Sequence, residues 1–297
     1  MEVNLPVVTA VLVCWNHERF VRASILAAVR QTYPHIQLIV FDNDSSDGSR
    51  KIIESLAEEY GFTFIQQPNV GLVKTLNCGL KMAQGKYFTL LATDDIWLLD
   101  KVARQVKFME ANPTVDLVCG HLVVIDEDDN EIDWPVENRP GEATFESLMR
   151  TGNIVRGATV MGRTEAMRAV GGYDESLPYE DFPMALRLTF RGHRVVNTGE
   201  VYTRYRRHGN NWTQRPIFDE QYKLAQYYRH SQEYRSFVRY NLRGYFRRLA
   251  MDRKRDALRL LFKEPIEWSL FDVGVGLMKL VIPVSAFRLL RTLRRKA

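Results

Sequence analysis

The first 95 residues alternate short apolar runs with segments of helical periodicity, and this alternation constrains the fold more than any other feature. The apolar runs are rich in β-branched residues and have the length of buried strands. They cover 7–14, 36–41, 62–65 and 87–91. Between them apolar residues recur at helical spacing, and Asp47 provides an N-cap for the second helix. This βαβαβαβ order predicts an α/β fold with a mostly parallel sheet flanked by helices.

The rest of the chain predicts a more mixed pattern of strands and helices. The predicted elements are helices at 98–109 and 184–190, strands at 117–125, 154–161, 195–196 and 201–205, and a hairpin partner beginning at Ile132. From residue 216 the pattern is helical and basic.

The composition is that of a soluble globular protein. Of its residues 45% are hydrophobic and 26% charged. Its 297 residues are enough for one large α/β domain, or for a catalytic domain plus an appendage. Cys14, Cys78 and Cys119 are far apart and form no C-x-x-C pair, which predicts neither a zinc site nor a disulfide framework. The N-terminus lacks signal-peptide features, and no stretch reaches 18 uncharged apolar residues. We therefore expect a cytoplasmic protein in a reducing compartment.

Charge is unevenly distributed along the chain. Residues 229–297 hold 17 Lys and Arg against 6 Asp and Glu, a net charge of +11, while the remainder holds 24 against 30, a net charge of −6. Apolar and basic residues in 266–297 predict a segment at the surface of an anionic membrane. A helical cap packed on the domain is an equally open alternative. No nucleic-acid partner is predicted, because no recognition motif accompanies the charge.

Polar residues follow three of the predicted strands. They are Trp15-Asn16-His17, Asp42-Asn43-Asp44-Ser45-Ser46-Asp47-Gly48 and Thr93-Asp94-Asp95. In an open parallel sheet these strand ends converge on the rim where ligands bind. No glycine lies between Met1 and Gly48, which excludes the Gly-rich phosphate loops of dehydrogenases and P-loop enzymes. An acidic rim repels bare phosphate, so a nucleoside diphosphate would need a bridging Mg²⁺ or Mn²⁺.

Each acidic cluster, taken alone, also has a structural interpretation. The pattern D-x-x-S-x-D from Asp42 to Asp47 is a good turn and helix start. Asp94-Asp95 before Ile96-Trp97 can likewise be a plain helix cap. The conjunction of the clusters therefore carries more weight than either one.

Taken together, the motifs resemble those of the family 2 inverting glycosyltransferases, which have a Rossmann-like GT-A fold. The resemblance covers about 7–213. In the family's order the motifs are Trp15-Asn16-His17, Gln31-Thr32-Tyr33-Pro34, Asp42-Asn43-Asp44-Ser45-Ser46-Asp47-Gly48, Asn69-Val70-Gly71 with Asn77 and Gly79, Gly85-Lys86-Tyr87, Thr93-Asp94-Asp95, Gly171-Gly172-Tyr173-Asp174-Glu175, Glu180-Asp181 and Arg206-Arg207-His208. The resemblance implies a catalytic domain at 1–213, with a donor half at about 1–112 and an acceptor half at about 113–213. A helical, basic extension follows at 214–297.

For the donor, the resemblance implies a UDP-sugar as the first candidate and a dTDP-sugar as the second. Asp42 and Asn43 would contact the nucleoside, and Asn77 would line the donor site near Gly71. Trp15 and Asn16, at the first strand end, belong to the same binding group.

For the cofactor, the resemblance implies a divalent cation, Mn²⁺ or Mg²⁺. Asp94 and Asp95 would hold it and would reach the ribose or diphosphate. His208 would approach the metal or the diphosphate from the far side, together with Arg206 and Arg207.

For the chemistry, the resemblance implies that Asp181 is the general base and that Glu180 neighbours it. The acceptor would be a hydroxyl group of a glycan or a lipid-linked saccharide, which suits the cytoplasmic face of the inner membrane. The family's metal motif is D-x-D-D, whereas Ala92 stands at its first position here. That loss keeps a catalytically silent GT-A scaffold open as an alternative, and nucleotidyl transfer is a weaker one because its Gly-rich loop is missing.

Overall fold

A computed structural model of the chain describes residues 5–209, 211, 218–237 and 255. The chain divides into two compact units. The first comprises 1–148 with 153–214, and the second comprises 149–152 with 215–297. The described part of the second unit includes the helix α8 (Phe218–Tyr227).

The first unit is built on one mixed sheet. Its strands are β1 (Val8–Cys14), β2 (Ile36–Asp42), β3 (Thr63–Gln66), β4 (Tyr87–Ala92), β5 (Ile96–Trp97), β6 (Val115–Ile125), β7 (Gly141–Ala143), β8 (Met161–Arg163) and β9 (Arg194–Arg206). They are arranged in the order β3-β2-β1-β4-β8-β6-β9-β5, and β7 also pairs with β9. The pairs among β1, β2, β3 and β4 are parallel, as is β6 with β9, whereas β5, β7 and β8 run antiparallel to their neighbours.

Helices flank this sheet. They are α1 (Val21–Val29), α2 (Ser49–Tyr60), α3 (Leu72–Met82), α4 (Lys101–Ala111), α5 (Phe145–Thr151), α6 (Thr164–Ala169) and α7 (Asp181–Phe190), with a 3₁₀ turn at Gly157–Thr159. The predicted α/β class with a mostly parallel sheet and flanking helices is confirmed.

The core explains why the first half folds as predicted. Every residue of β1 is buried, so this strand has apolar contacts on both faces and lies in the middle of the parallel part. The apolar side chains of α1 and α4, including Ile25 and Val102, join one cluster with β1, β2 and β4. Burial of these faces fixes the register, in which Cys14 lies opposite Asp42 and Val13 lies opposite Ala92.

Two predicted strands differ from the structure. The apolar run 154–161 is mostly a buried loop with a 3₁₀ turn, and only Met161 belongs to a strand. Its Val155, Thr159 and Val160 are buried beneath the sheet, so the run reflects burial and not strand pairing. The predicted short strands at 195–196 and 201–205 form the single strand β9, interrupted by register shifts and by Gly199 with φ +77°.

The predicted hairpin after β6 forms a short antiparallel bridge, Ile125 to Glu131, and Ile132 N–H donates to the Val124 carbonyl. Among the described residues, no helix is both long enough and apolar enough to cross a bilayer. The predicted membrane-surface segment 266–297 lies outside the described residues.

Candidate active site

The ends of β1, β2 and β4 meet at one rim of the sheet because these strands are parallel neighbours. Asn16 stands in a left-handed conformation with φ 57°, which asparagine tolerates better than most residues. Its Oδ1 accepts from Ser46 N–H at 2.8 Å, and its own N–H donates to Ser45 Oγ at 2.9 Å. Asn16 therefore joins the loop after β1 to the loop after β2. Trp15 beside it is 49% exposed, so its ring is available to a ligand at this rim.

Asp42 and Asn43 are almost completely buried at the end of β2. Ser45 donates to the Asp42 carboxylate through its N–H at 3.1 Å and its hydroxyl at 2.5 Å. Asn43 Oδ1 accepts from Gln67 Nε2 at 2.9 Å and from Thr75 Oγ1 at 3.0 Å. These bonds fix the shape of the loop. Contact of either residue with a nucleoside stays a prediction.

Asn77 lies in α3 and faces the segment that follows α6. Its side-chain amide donates to the Tyr173 carbonyl at 3.0 Å and to Glu175 Oε1 at 2.9 Å, and its Oδ1 accepts from Tyr173 N–H at 2.8 Å. Gly172, with φ +70°, allows this close approach, since a Cβ there would meet Asn77 Oδ1 at 2.7 Å. Asn77 thus joins α3 to the segment after α6, and its role in donor binding stays a prediction.

Three side chains converge at the end of β4. His208 Nε2 lies 3.1 Å from Asp94 Oδ2, and His17 Nε2 lies 3.8 Å from the same oxygen. The three candidate ligand atoms all lie within 4.8 Å of one another. Within the described part of the chain, the buried Asp94 Oδ1 has no hydrogen-bond partner. We call His17, Asp94 and His208 the His-Asp-His cluster.

The chemistry of this cluster fits a divalent cation. A neutral imidazole and an ionised carboxylate are the forms that bind metals. Burial is the main reason why the pKa of His17 is lowered, although Asp94 opposes it. Burial also pushes the pKa of Asp94 up, but the hydrogen bond from His208 and the charges of both histidines outweigh it, so that this pKa is lowered. Both shifts favour the ligating forms, and the unpartnered Asp94 Oδ1 leaves a lone pair for an ion.

Asp95 has a different environment from Asp94. Its Oδ1 accepts from the backbone N–H of Arg206 at 2.8 Å, and it is 3% exposed. Burial, and then the neighbouring Asp94 charge, raise the pKa of Asp95 well above its usual range. The sequence predicts Asp95 as a metal ligand, but the third member of the cluster is His17. Metal ligation by Asp95 stays a prediction.

Arg206 and Arg207 at the end of β9 differ in exposure. Arg206 is 1% exposed, and its guanidinium donates to the carbonyls of Asp94 and Asp126 at 2.9 Å each and to Asp129 Oδ1 at 2.5 Å. It therefore braces the loops around the rim. The Arg207 guanidinium stacks on the ring of Trp134, 3.6 Å from its centroid, and is the cation nearer to solvent.

The predicted catalytic carboxylates stand at the start of α7. Asp181 Oδ1 accepts from Phe182 N–H at 2.6 Å, and Glu180 packs close to Gly157. Burial raises the pKa of both groups, and the Asp181 charge adds to the shift that brings the pKa of Glu180 to about 8. The two carboxylates line an apolar cavity of about 10 Å³, whose other lining residues are Leu90, Leu117, Gly157, Val160, Tyr173 and Met184.

The sheet and α7 thus present two kinds of acidic group. The cluster at the end of β4 has the ligand atoms that a divalent cation needs. At the start of α7, burial raises the pKa of Glu180 and of Asp181, so these carboxyl groups accept a proton nearer to neutral pH than exposed carboxylates do.

The sequence did not predict every member of the site. His17 appears in the polar end of the first strand, but it was not among the predicted metal ligands. Its signal was its position two residues after Trp15, in the loop that follows β1, the strand that pairs with β4 before Asp94. The second contribution that the sequence did not predict comes from the loop at 153–160. Burial raises the pKa of Asp181, and Arg156 in this loop partly opposes that shift.

Comparison with known proteins identifies the family. The model of a family described as glycosyl transferase family 2 matches residues 9–171. A relative from Escherichia coli, the UDP-Glc:alpha-D-GlcNAc-diphosphoundecaprenol beta-1,3-glucosyltransferase WfaP, is 27% identical over 210 residues, which are 70% of this chain and 80% of the relative.

Solved structures show the same fold at low sequence identity. S. aureus TarS 1-349 in complex with UDP-GlcNAc superimposes with a TM-score of 0.64 at 13% identity, covering 92% of this chain and 79% of that one. The mannosyltransferase PcManGT from Pyrobaculum calidifontis, in complex with GDP-Man and Mn²⁺, gives 0.58 at 19% identity, covering 99% and 81%. Against a longer TarS chain, this protein covers 43% of the length. The predicted GT-A fold is confirmed.

Proposed function

The chain belongs to glycosyl transferase family 2, and we propose that it transfers a sugar from a nucleoside-diphosphate sugar to a hydroxyl group with inversion at the anomeric carbon. The observation that carries this proposal is the cluster of His17, Asp94 and His208 at the ends of the parallel strands, with its Asp94 Oδ1 unpartnered in the described part of the chain. Inversion by one displacement needs a base for the attacking hydroxyl and a separate site for the leaving diphosphate. In this proposal Asp181 is the base, and the cluster is the site for the diphosphate.

In the proposed reaction Asp181 accepts the proton of the acceptor hydroxyl. The new bond forms between that oxygen and the anomeric carbon while the bond from this carbon to the diphosphate oxygen breaks. The leaving nucleoside diphosphate keeps the electron pair of the broken bond. Burial makes Asp181 a stronger base than an exposed aspartate, because it raises the pKa. Burial, and then the Asp181 charge, raise the pKa of Glu180 to about 8, so Glu180 keeps its own proton below that pH.

Asp94 and His208 would hold a divalent cation, and Asp95 is the further ligand predicted from the sequence. When bound, the cation stabilises the negative charge that develops on the diphosphate. Arg207 adds a positive charge next to His208, and its stacking on Trp134 holds the guanidinium in place. Arg206 holds the backbone of Asp94 and Asp95, so it positions the rim.

We propose a UDP-sugar as the donor, with a dTDP-sugar as the second candidate. TarS was solved with UDP-GlcNAc, and WfaP is named for UDP-Glc, so a hexosyl or N-acetylhexosaminyl group is the proposed cargo. The name of WfaP gives its acceptor as a diphosphoundecaprenol-linked sugar. A lipid-linked saccharide at the cytoplasmic face of the inner membrane, in surface polysaccharide synthesis of the O-antigen type, is the corresponding proposal here.

A transfer assay tests this function. The protein is incubated with Mn²⁺, a UDP-sugar or a dTDP-sugar, and a short-chain analogue of a diphospholipid-linked GlcNAc. Release of the nucleoside diphosphate is measured together with the anomeric configuration of the product by NMR. A β-linked product from an α-linked donor is expected. Tight donor binding without any transfer would instead support the silent scaffold, which Ala92 favours.

A further inference from the structure

We propose that His17 is a protein ligand of the divalent cation, and that it makes the site prefer Mn²⁺ over Mg²⁺. This inference rests on the proposed metal-assisted function and names a residue that the predicted ligand set lacks. It follows from the geometry of the His-Asp-His cluster and from the replacement of a carboxylate by Ala92.

The distance between His17 and Asp94 suits an intervening ion and not a direct bond. His17 Nε2 lies 3.8 Å from Asp94 Oδ2, which is too far for a hydrogen bond. Ligand atoms at about 2.0–2.2 Å from one ion lie roughly 2.8–3.8 Å apart when they subtend angles of about 90–120°. The 3.8 Å between His17 and Asp94 lies within that range, as does the 3.1 Å hydrogen bond between His208 and Asp94.

Thr93 sets the tautomer of His17 so that Nε2 can bind a metal. The Thr93 hydroxyl lies 3.4 Å from the Val13 carbonyl, to which it can only donate, and 2.9 Å from His17 Nδ1. We assign the proton to Nδ1, because a hydroxyl that donates to the carbonyl accepts from the ring, and Nε2 then presents its lone pair to the cluster. Metal-binding histidines are commonly oriented by such a second hydrogen bond.

The backbone of His17 is also fixed. Its N–H donates to Ser49 Oγ at 2.9 Å, and its ring meets that of His208 edge to face at 6.1 Å between centroids. The side chain is 17% exposed, so one side of the cluster is open to solvent or to a diphosphate. A ring held at both ends keeps Nε2 directed at the cluster without further ordering cost.

The donor set decides the metal preference. Mg²⁺ takes oxygen ligands and usually keeps several waters. Mn²⁺ shares that preference for oxygen, but as a first-row transition ion it also accepts imidazole nitrogen. A second histidine in place of a carboxylate would therefore shift the site from Mg²⁺ towards Mn²⁺. The buried Asp94 Oδ1, which has no hydrogen-bond partner among the described residues, would be available as a further oxygen ligand.

Direct metal binding to the purified full chain tests the assignment. Free Mn²⁺ is measured by its EPR signal during titration, and Mg²⁺ is then added as a competitor. His17→Gln should weaken Mn²⁺ binding by about 100-fold, and Thr93→Val should weaken it by about 10-fold. His17→Glu restores an oxygen ligand, so it should lower the ratio of Mn²⁺ to Mg²⁺ affinity by about 10-fold or more. His35→Gln, an exposed histidine outside the site, should leave both affinities unchanged.

Mn²⁺ affinity in His17→Gln equal to that of the parent protein would overturn the assignment, as would an unchanged metal preference in His17→Glu. Circular dichroism without metal checks that each variant is folded, and the Thr93→Val and His17→Glu arms decide the question if His17→Gln is not. The inference and the proposed function fail separately. A parent protein that transfers sugar while His17→Gln keeps its Mn²⁺ affinity refutes only the ligand. Loss of Mn²⁺ binding in His17→Gln without transfer by the parent refutes only the function.

Discussion

At the scale of single residues, the start of α7 holds two half-buried carboxyl groups. Asp181 is fixed by the Phe182 N–H, and Glu180 lies against Gly157, where any larger residue would collide with it. A buried carboxyl group with a raised pKa is a better proton acceptor than an exposed one. The proposed base therefore depends on the loop at 153–160 as much as on the helix itself.

Asp181→Asn removes the proposed base and keeps the size of the side chain. We expect the turnover number to fall by about 10²–10⁴-fold while the affinity for the donor is preserved, because the amide cannot accept the proton. Steady-state kinetics and donor titration measure the two quantities. Asp100→Asn, at an exposed aspartate before α4, is the matched control and should be neutral. Full turnover in Asp181→Asn would remove it as the base.

Glu180 makes the activity and the stability depend on pH. The folded protein retains a proton on Glu180 up to pH about 8, so turnover should rise as the pH rises and the pair loses that proton. The folded state then binds more protons than the unfolded state between about pH 4.5 and pH 8, and stability should fall with increasing pH across this window. Glu180→Gln should flatten the stability change measured by urea unfolding. An unaltered slope in that variant would contradict the raised pKa.

At the scale of secondary-structure elements, the end of β9 holds the loops of the rim together. The Arg206 side chain donates to two carbonyl groups and one carboxylate while being almost completely buried. A planar guanidinium reaches three acceptors that a lysine ammonium cannot reach together. β9 thus positions Asp94 and Asp95 through hydrogen bonds without itself contacting the reacting groups.

Arg206→Lys keeps the charge but leaves buried carbonyl oxygens without a donor. We expect it to lower the free energy of unfolding by about 2–3 kcal/mol, measured by urea denaturation. Arg204→Lys on the same strand is the control, because Arg204 makes one exposed hydrogen bond to the Asp129 carbonyl. That change should cost less than about 1 kcal/mol. Equal losses in both variants would argue against a bracing role of Arg206.

The sequence predicts the elements of the first half because their pattern and their burial agree. β1 is apolar on both faces, and its neighbours β2 and β4 follow the same rule, so strand ends and their polar residues can be located without coordinates. The same reasoning placed Asp42 and Asp94 at one rim. It failed at 154–161, since apolar residues in a buried loop look like those of a strand.

Sequence patterns do not predict which residues that are far apart in the chain contact each other in the fold. His17 and Asp94 are 77 positions apart, and only the parallel pairing of β1 with β4 brings them together. The buried state of Glu180, and hence its pKa of about 8, likewise depends on the loop around Gly157. A motif identifies the residue type, but the fold determines whether that residue is paired, buried or free to bind.

At the scale of the whole molecule, charge separates the C-terminal segment from the rest. Residues 229–297 carry a net charge of +11 on a body of −6. A basic segment with interspersed apolar residues is attracted to anionic lipid, and this attraction weakens as salt screens it. Such a segment would bring the proposed site close to a lipid-linked acceptor.

Vesicle flotation tests this arrangement with the full chain. We expect the protein to float with vesicles containing anionic phosphatidylglycerol, to float less in about 0.5 M salt, and to stay at the bottom with neutral vesicles. Replacing Arg288, Arg291 and Arg295 together by glutamine should reduce flotation with anionic vesicles. Identical flotation of the parent and the triple variant would point to the alternative, a cap packed on the domain.

The proposed site binds a nucleoside-diphosphate sugar, and this binding depends on a divalent cation. Thermal unfolding of the full chain with UDP-, dTDP-, GDP- and CMP-sugars, each with and without Mn²⁺, tests this dependence. A ligand at 100 times its dissociation constant stabilises the folded state by about 2.7 kcal/mol. We predict a shift of that order for a UDP-sugar with Mn²⁺, a much smaller one without Mn²⁺, and none that depends on Mn²⁺ for the CMP-sugar, which has no diphosphate. The absence of a shift with every diphosphate sugar, or an equal shift with and without Mn²⁺, would contradict donor binding that depends on a divalent cation.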